Sequence, residues 1–142
     1  MIKIFLDANV IVAVLNKEYP VFSDAARIIS LYENKKAQIF TSAVCLAIAF
    51  YFAEKKSGNL LARKKIKLLL DNIEVSQTDA KVVSQAIKNP SIHDFEDGIE
   101  YYSAIDAGCK YIVTENTKDF YFSEIPVMDC KSFLQEIRSG NF

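Results

Sequence analysis

The sequence predicts an α/β fold, a mostly parallel sheet covered by helices on both faces. Two observations lead to it. Short apolar runs alternate along the chain with longer segments of helical periodicity, the pattern of strand–helix–strand units. The first run, Ile4-Phe5-Leu6, is apolar at consecutive rather than alternate positions and stops abruptly at Asp7-Ala8-Asn9. A central strand buried on both faces, delivering polar groups at its tip, reads this way.

The elements follow in order. Residues 10–15 are too apolar for a surface loop and predict a short helix over the sheet. Residues 23–32 form an amphipathic helix with Ala25, Ile28, Ile29 and Tyr32 on one side. Residues 37–40 predict a second short strand feeding an apolar helix from residue 42 onward. Ser57-Gly58-Asn59 breaks that helix, and residues 60–70 begin another. A strand over 72–75 and a helix ending near Lys88 follow, stopped by Asn89-Pro90. Residues 95–107 predict a helix closed by Gly108, residues 109–114 a strand, and residues 115–120 a polar loop. The run 125–128 predicts a final strand at an edge, because Pro126 cannot donate to a ladder. Residues 132–137 end the chain as a helix.

A chain of 142 residues, with 51% hydrophobic side chains and no low-complexity linker or repeat, is expected to form one domain over 1–142. Seventeen basic and eighteen acidic side chains leave a net charge of −1, so the molecule as a whole does not attract a polyanion. A nucleic-acid substrate needs a local basic patch, and Arg63, Lys64 and Lys67 are the candidates. A solvated helix face is the plain alternative.

The cysteines at 45, 109 and 130 are too scattered for a disulfide framework or a metal-ligand pair. Reduced, buried thiols in a cytoplasmic protein are expected. The amino-terminal run meets charge too soon to be a signal segment. Residues 39–53 carry no charge but fall short of the roughly 20 residues that span a bilayer, so a buried helix and no membrane association are expected.

Ligands in parallel sheets bind beyond the carboxyl ends of the strands, where the strand order reverses. Three places supply acids or amides there: Asp7 with Asn9, Asp94 with Asp97, and Asn116 with Asp119. Thr114 and Glu115 sit where the 109–114 strand passes into its loop. Carboxylates held close together repel, and an oxygen-rich set favours Mg²⁺ or Mn²⁺. Such an ion activates water and neutralises charge on a phosphate oxygen, so phosphodiester cleavage follows as the chemistry. Plainer roles stand beside each. Asp94 and Asp97 can be a helix N-cap and a first-turn acid, Asn9 a helix cap and Asn116 a turn residue. His93 adjoins the acids but reads as a surface group. Neither a phosphate-binding glycine loop nor a nucleophile elbow is present.

Four stretches carry a resemblance: Phe5-Leu6-Asp7-Ala8-Asn9-Val10-Ile11; Thr41-Ser42-Ala43 with its apolar helix; Asp94-Phe95-Glu96-Asp97-Gly98-Ile99; and Tyr111-Ile112-Val113-Thr114-Glu115-Asn116-Thr117-Lys118-Asp119-Phe120. In their order and spacing the chain resembles PIN-domain proteins, the nuclease family that includes the toxins of many bacterial toxin–antitoxin pairs. The resemblance implies a three-layer α/β/α sandwich with a sheet of four or five strands, a Mg²⁺ or Mn²⁺ site and endonuclease action on RNA. It also implies an antitoxin protein as partner, and a homodimer. Asp7 matches the first metal-binding aspartate, Asp97 the third acid and Asp119 an additional acid of the final motif. Two positions depart from the pattern. Ile48 stands where the second acid belongs, and Asn116, an oxygen without a charge, where the fourth belongs. Glu54 lies almost two turns beyond Ile48, too far to replace it, whereas Asp94, Glu96 or Glu115 can restore part of the charge.

Three functional readings follow: a metal-dependent ribonuclease of the toxin type, a catalytically degenerate module that binds RNA or protein, or an unrelated receiver-like or nucleotide-binding domain.

Overall fold

The computed structural model describes residues 1–140; the last two residues of the expected 1–142 domain lie outside the described residues. The chain runs β1 (Ile2–Leu6), α1 (Ala8–Leu15), α2 (Val21–Ser30), β2 (Ala37–Ser42), α3 (Ala43–Ser57), α4 (Asn59–Leu69) and β3 (Glu74–Ser76). It continues through α5 (Ala80–Lys88), α6 (Phe95–Asp106), β4 (Tyr111–Val113), β5 (Val127–Met128) and α7 (Cys130–Arg138). The strands form one sheet in the order β3-β2-β1-β4-β5, and every pairing is parallel. The α/β architecture read from the sequence is therefore present, with five strands.

Consecutive apolar residues in β1 divide between two cores. Ile4 pairs in register with Ile39 and Tyr111, and Ile4 and Leu6 pack with residues of α1, α2 and α7, including Ile11, Ile28 and Phe133. Phe5 pairs with Phe40 and Ile112 and packs on the other face with Tyr101 and Ala104 of α6. Ile4, Phe5 and Leu6 have no exposed surface. Each such burial is worth about 1.5–3 kcal/mol, so β1 needs a helical layer on both sides.

Boundaries differ from the sequence reading where a cap or turn decides them. Helix α1 starts at Ala8 because Asp7, not Asn9, caps it. Strand β3 starts at Glu74 rather than 72, since the Asn72 N–H turns back to Leu69 O at 2.9 Å to close α4. Asp129 accepts from the Ser132 N–H at 2.7 Å and starts α7 at Cys130. The expected loop after β4 contains a 3₁₀ turn, Thr117–Phe120, anchored by buried Phe120. Gly58, at φ +85°, joins α3 to α4; open space surrounds it, so its backbone angle is what calls for glycine. Strand β5 lies at the sheet edge, where Pro126 gives only its carbonyl, to the Ile112 N–H at 3.0 Å.

The chain builds outward from β1 through β2 to β3, then returns to lay β4 and β5 on the opposite side. The order thus reverses between β1 and β4, and the carboxyl ends of these two strands frame the crevice where such sheets bind ligands.

Candidate functional site

Asp7 stands at that crevice, leaving β1 and capping α1. Its Oδ1 accepts from the Ala8 N–H at 2.7 Å. Its Oδ2 accepts from the Thr114 hydroxyl at 2.8 Å and, more loosely, from Asn9 Nδ2 at 3.4 Å. The Thr114 hydroxyl also accepts from Asn9 Nδ2 at 3.0 Å and from the Asn116 N–H at 3.1 Å. One donated and two accepted bonds use the full capacity of a hydroxyl, so this buried group is a fixed junction between β1 and β4. Asn9 completes it by accepting from the Glu115 N–H at 3.1 Å. The Asp7 carboxylate is thereby held by donors even though the residue is buried, which offsets the cost of removing it from water.

Helix α6 brings the second acid. Asp94 is its N-cap, accepting from the N–H groups of Glu96 at 2.9 Å and Asp97 at 3.4 Å. Asp97, in the first turn, faces the crevice. Burial, followed by repulsion from Asp94, Asp7, Asp119 and Glu96, raises its carboxyl to about 7. Glu96 is raised too, by burial and then by Asp94 and Asp7. Asp94 and Asp97 therefore divide the two readings between them: one caps the helix and the other faces the crevice.

Asp7, Asn9, Asp97, Asn116 and Asp119 line one open cleft of about 360 Å³, with Val12, Ile48 and Phe52 supplying an apolar wall and Glu18 at its rim. Three carboxylates and one amide oxygen, from the end of β1, the start of α6 and the segment after β4, make an all-oxygen donor set. That set fits a hard divalent ion such as Mg²⁺ or Mn²⁺. Ile48 faces the cleft with hydrocarbon only.

Other candidates fall outside the cleft. Glu115 turns away, its Oε2 accepting from the Cys130 N–H at 2.9 Å at the start of α7. Arg63, Lys64 and Lys67 are exposed on α4, and Arg63 and Lys67 border a separate shallow depression with Phe50, Ile66 and Leu70. His93 stacks on Tyr121, ring centroids 5.7 Å apart, and its backbone N–H donates to the Tyr121 hydroxyl.

The structure adds two groups that the sequence reading did not weigh at this site, Glu100 and Cys45. Glu100, one turn beyond Asp97 on α6, is buried, and the Cys45 thiol donates to its Oε1 at 3.2 Å. Burial, then the charge of Asp7 and a hydrogen bond to it, push the Glu100 carboxyl up to about 10. Cys45 is pushed well above its ordinary range, by burial and then by Glu100 and Asp7. The available signal was a charged residue among Ile99, Tyr101, Ser103 and Ala104, a helix stretch otherwise made for burial. All three cysteines are buried and free of disulfides. Among the described residues no helix is long and apolar enough to cross a membrane, and the uncharged stretch 39–53 is divided between β2 and α3.

Residues 3–118 match the model of a family described as PIN domain. No curated protein matches the chain. Among solved structures, VapBC2 from Rickettsia felis, bound to a DNA fragment from their promoter, superposes with a TM-score of 0.68 at 19% identity. That match covers 90% of this chain and 98% of the other. VapBC-1 from nontypeable Haemophilus influenzae gives a TM-score of 0.67 at 17% identity, covering 92% and 99%. VapC20 from Mycobacterium tuberculosis, a sarcin-ricin loop cleaving toxin, gives 0.60 at 18% identity, covering 77% and 86%.

Proposed function

The chain belongs to the PIN-domain family, and from that premise we propose that it is a divalent-metal-dependent endoribonuclease of the toxin type. The observation that carries this reading is the convergence of Asp7, Asp97 and Asp119, from three distant parts of the chain, on one cleft at the strand-order reversal. The receiver-like alternative lapses with the family match.

In this reading Asp7, Asp97, Asp119 and the Asn116 side-chain oxygen hold Mg²⁺ or Mn²⁺. The bound ion supplies Lewis-acid activation of water and neutralises charge developing on the phosphate. Thr114 and the Ala8 N–H orient Asp7, so its oxygens need no rearrangement when substrate arrives. The repulsion from neighbouring acids that helps raise the Asp97 carboxyl to about 7 is what a divalent ion held there would relieve. The apolar wall of Val12, Ile48 and Phe52 lowers the local dielectric and strengthens each charge interaction. Arg63, Lys64 and Lys67 on α4 provide phosphate contacts beyond the cleft. The partners are RNA, an antitoxin protein whose amphipathic helix covers the cleft, and a second copy of the chain. Exposed Leu60, Leu61 and Leu68 on α4 support a protein-facing surface, and the proposal includes a cytoplasmic location. The structurally similar M. tuberculosis toxin lends weight to RNA as the substrate class.

The test is cleavage of a mixed RNA pool by purified protein with Mn²⁺ or Mg²⁺. Asp97→Asn is expected to abolish cutting while remaining folded; equal, metal-independent cutting by both proteins would overturn the reading. Ile48 in the cleft wall favours a second reading, a member that binds RNA or protein without cutting. RNA retention without cleavage, in the presence of bound Mn²⁺, would select it.

A further inference from the structure

Beneath the cleft, the structure brings together three donors that the ribonuclease reading does not use as a set. One ligand atom each from Asp7, Cys45 and Glu100 lie within 4.8 Å of one another, and all three residues are buried. Cys45 Sγ lies 3.2 Å from Glu100 Oε1 and 4.0 Å from Asp7 Oδ1. The other Glu100 oxygen is buried and meets no N–H or O–H donor. Two carboxyl groups facing each other inside a protein need positive charge between them, a proton or a metal ion. The thiol adds a third donor atom to the same small space.

We propose that Asp7, Cys45 and Glu100 form an inner divalent-metal site, distinct from the all-oxygen cleft and selective for a borderline-soft ion, Zn²⁺ in the first place. Sulfur is the deciding donor: thiolate favours Zn²⁺ over Mg²⁺ or Mn²⁺, and Zn²⁺ accepts mixed sulfur and carboxylate ligands with one position left for water. Two of the separations, 3.2 Å from Cys45 Sγ to Glu100 Oε1 and 4.0 Å to Asp7 Oδ1, lie on either side of the about 3.5 Å expected between tetrahedral donors bonded at about 2.0–2.3 Å. Binding displaces the thiol proton to solvent, as at any cysteine metal site. Asp7 belongs to both sites, so the inference shares that one residue with the ribonuclease reading, and Asp97 belongs to the cleft alone.

The experiment is titration of the full chain with Co²⁺, a spectroscopic stand-in for Zn²⁺, following the thiolate-to-cobalt charge-transfer absorption in the near ultraviolet. A stoichiometric band is expected that Zn²⁺ abolishes and a large excess of Mg²⁺ does not. Cys45→Ser should remove it, Glu100→Gln should weaken Co²⁺ binding at least tenfold, and Cys109→Ala and Cys130→Ala should keep it. Circular dichroism of each variant separates loss of the site from loss of the fold, and Asp97→Asn should keep the band while losing RNA cleavage. Co²⁺ bound without a thiolate band, or a band unchanged in folded Cys45→Ser, would overturn the inference and leave the ribonuclease reading standing.

Discussion

Asp7 turns the chain and lines the candidate site at once. Its carboxylate ends a buried strand, starts a helix and accepts from Thr114 across the gap between β1 and β4. Thr114→Val keeps the shape but leaves Asp7 Oδ2 without its hydroxyl donor. A loss of about 1–3 kcal/mol in stability is expected, measured by urea denaturation, together with weaker Mn²⁺ binding by calorimetry. Asp97 sets a pH dependence. Its carboxyl, raised to about 7, binds its proton more tightly folded than unfolded. Its contribution is therefore fully present below the ordinary carboxylate pKa near 4 and is lost as pH rises through 7. Without divalent ions, the urea midpoint is expected to fall across this window, and Asp97→Asn should flatten that part of the profile. An unchanged slope in Asp97→Asn would show that the acids around it do not interact in this way.

At the scale of the element, α6 does the most to assemble the site. Asp94 caps it, Asp97 faces the cleft from its first turn, and Glu100 lies one turn deeper against Asp7. Asp94→Ala removes the cap at a cost of about 1 kcal/mol. It also removes the largest repulsive charge acting on Asp97, so the Asp97 carboxyl should titrate lower, as followed by carboxyl-carbon NMR. A variant that lost stability without moving Asp97 would separate the capping role from the electrostatic one. The sequence shows this helix clearly, with its acids at the start and its stop at Gly108. It does not show that Glu100 points into the protein, because a glutamate on a helix is ordinarily a surface residue. Burial of that side chain is settled by what stands opposite it once the chain has folded, Cys45 of α3 and Asp7.

For the whole molecule, the proposed metal-dependent reading makes the charge collected at the cleft the quantity that governs how tightly the ion is held. Ile48→Glu adds a carboxylate to the wall where Ile48 now presents hydrocarbon. Mn²⁺ affinity is expected to rise about tenfold, since ligand charge tunes affinity for hard ions. The thermal midpoint should also rise more steeply with Mn²⁺ than for the unaltered chain, by mass action on the folded state. Equal midpoints at saturating Mn²⁺ would mean that position 48 lies outside the reach of the ion.

The alternation of apolar runs and amphipathic segments by itself determined the strand–helix order, the two-faced burial of β1 and the residues at the strand tips. These follow from local periodicity and from the cost of leaving apolar surface in water, both of which can be read along a chain. Tertiary structure alone decided that Asp97 faces the cleft while Asp94 caps, that Glu115 serves α7, that Arg63 and Lys67 border another surface, and that Cys45 and Glu100 meet under Asp7. The direction of a polar side chain depends on which distant donor or charge stands opposite it, and that partner exists only once the strands have taken their places in the sheet.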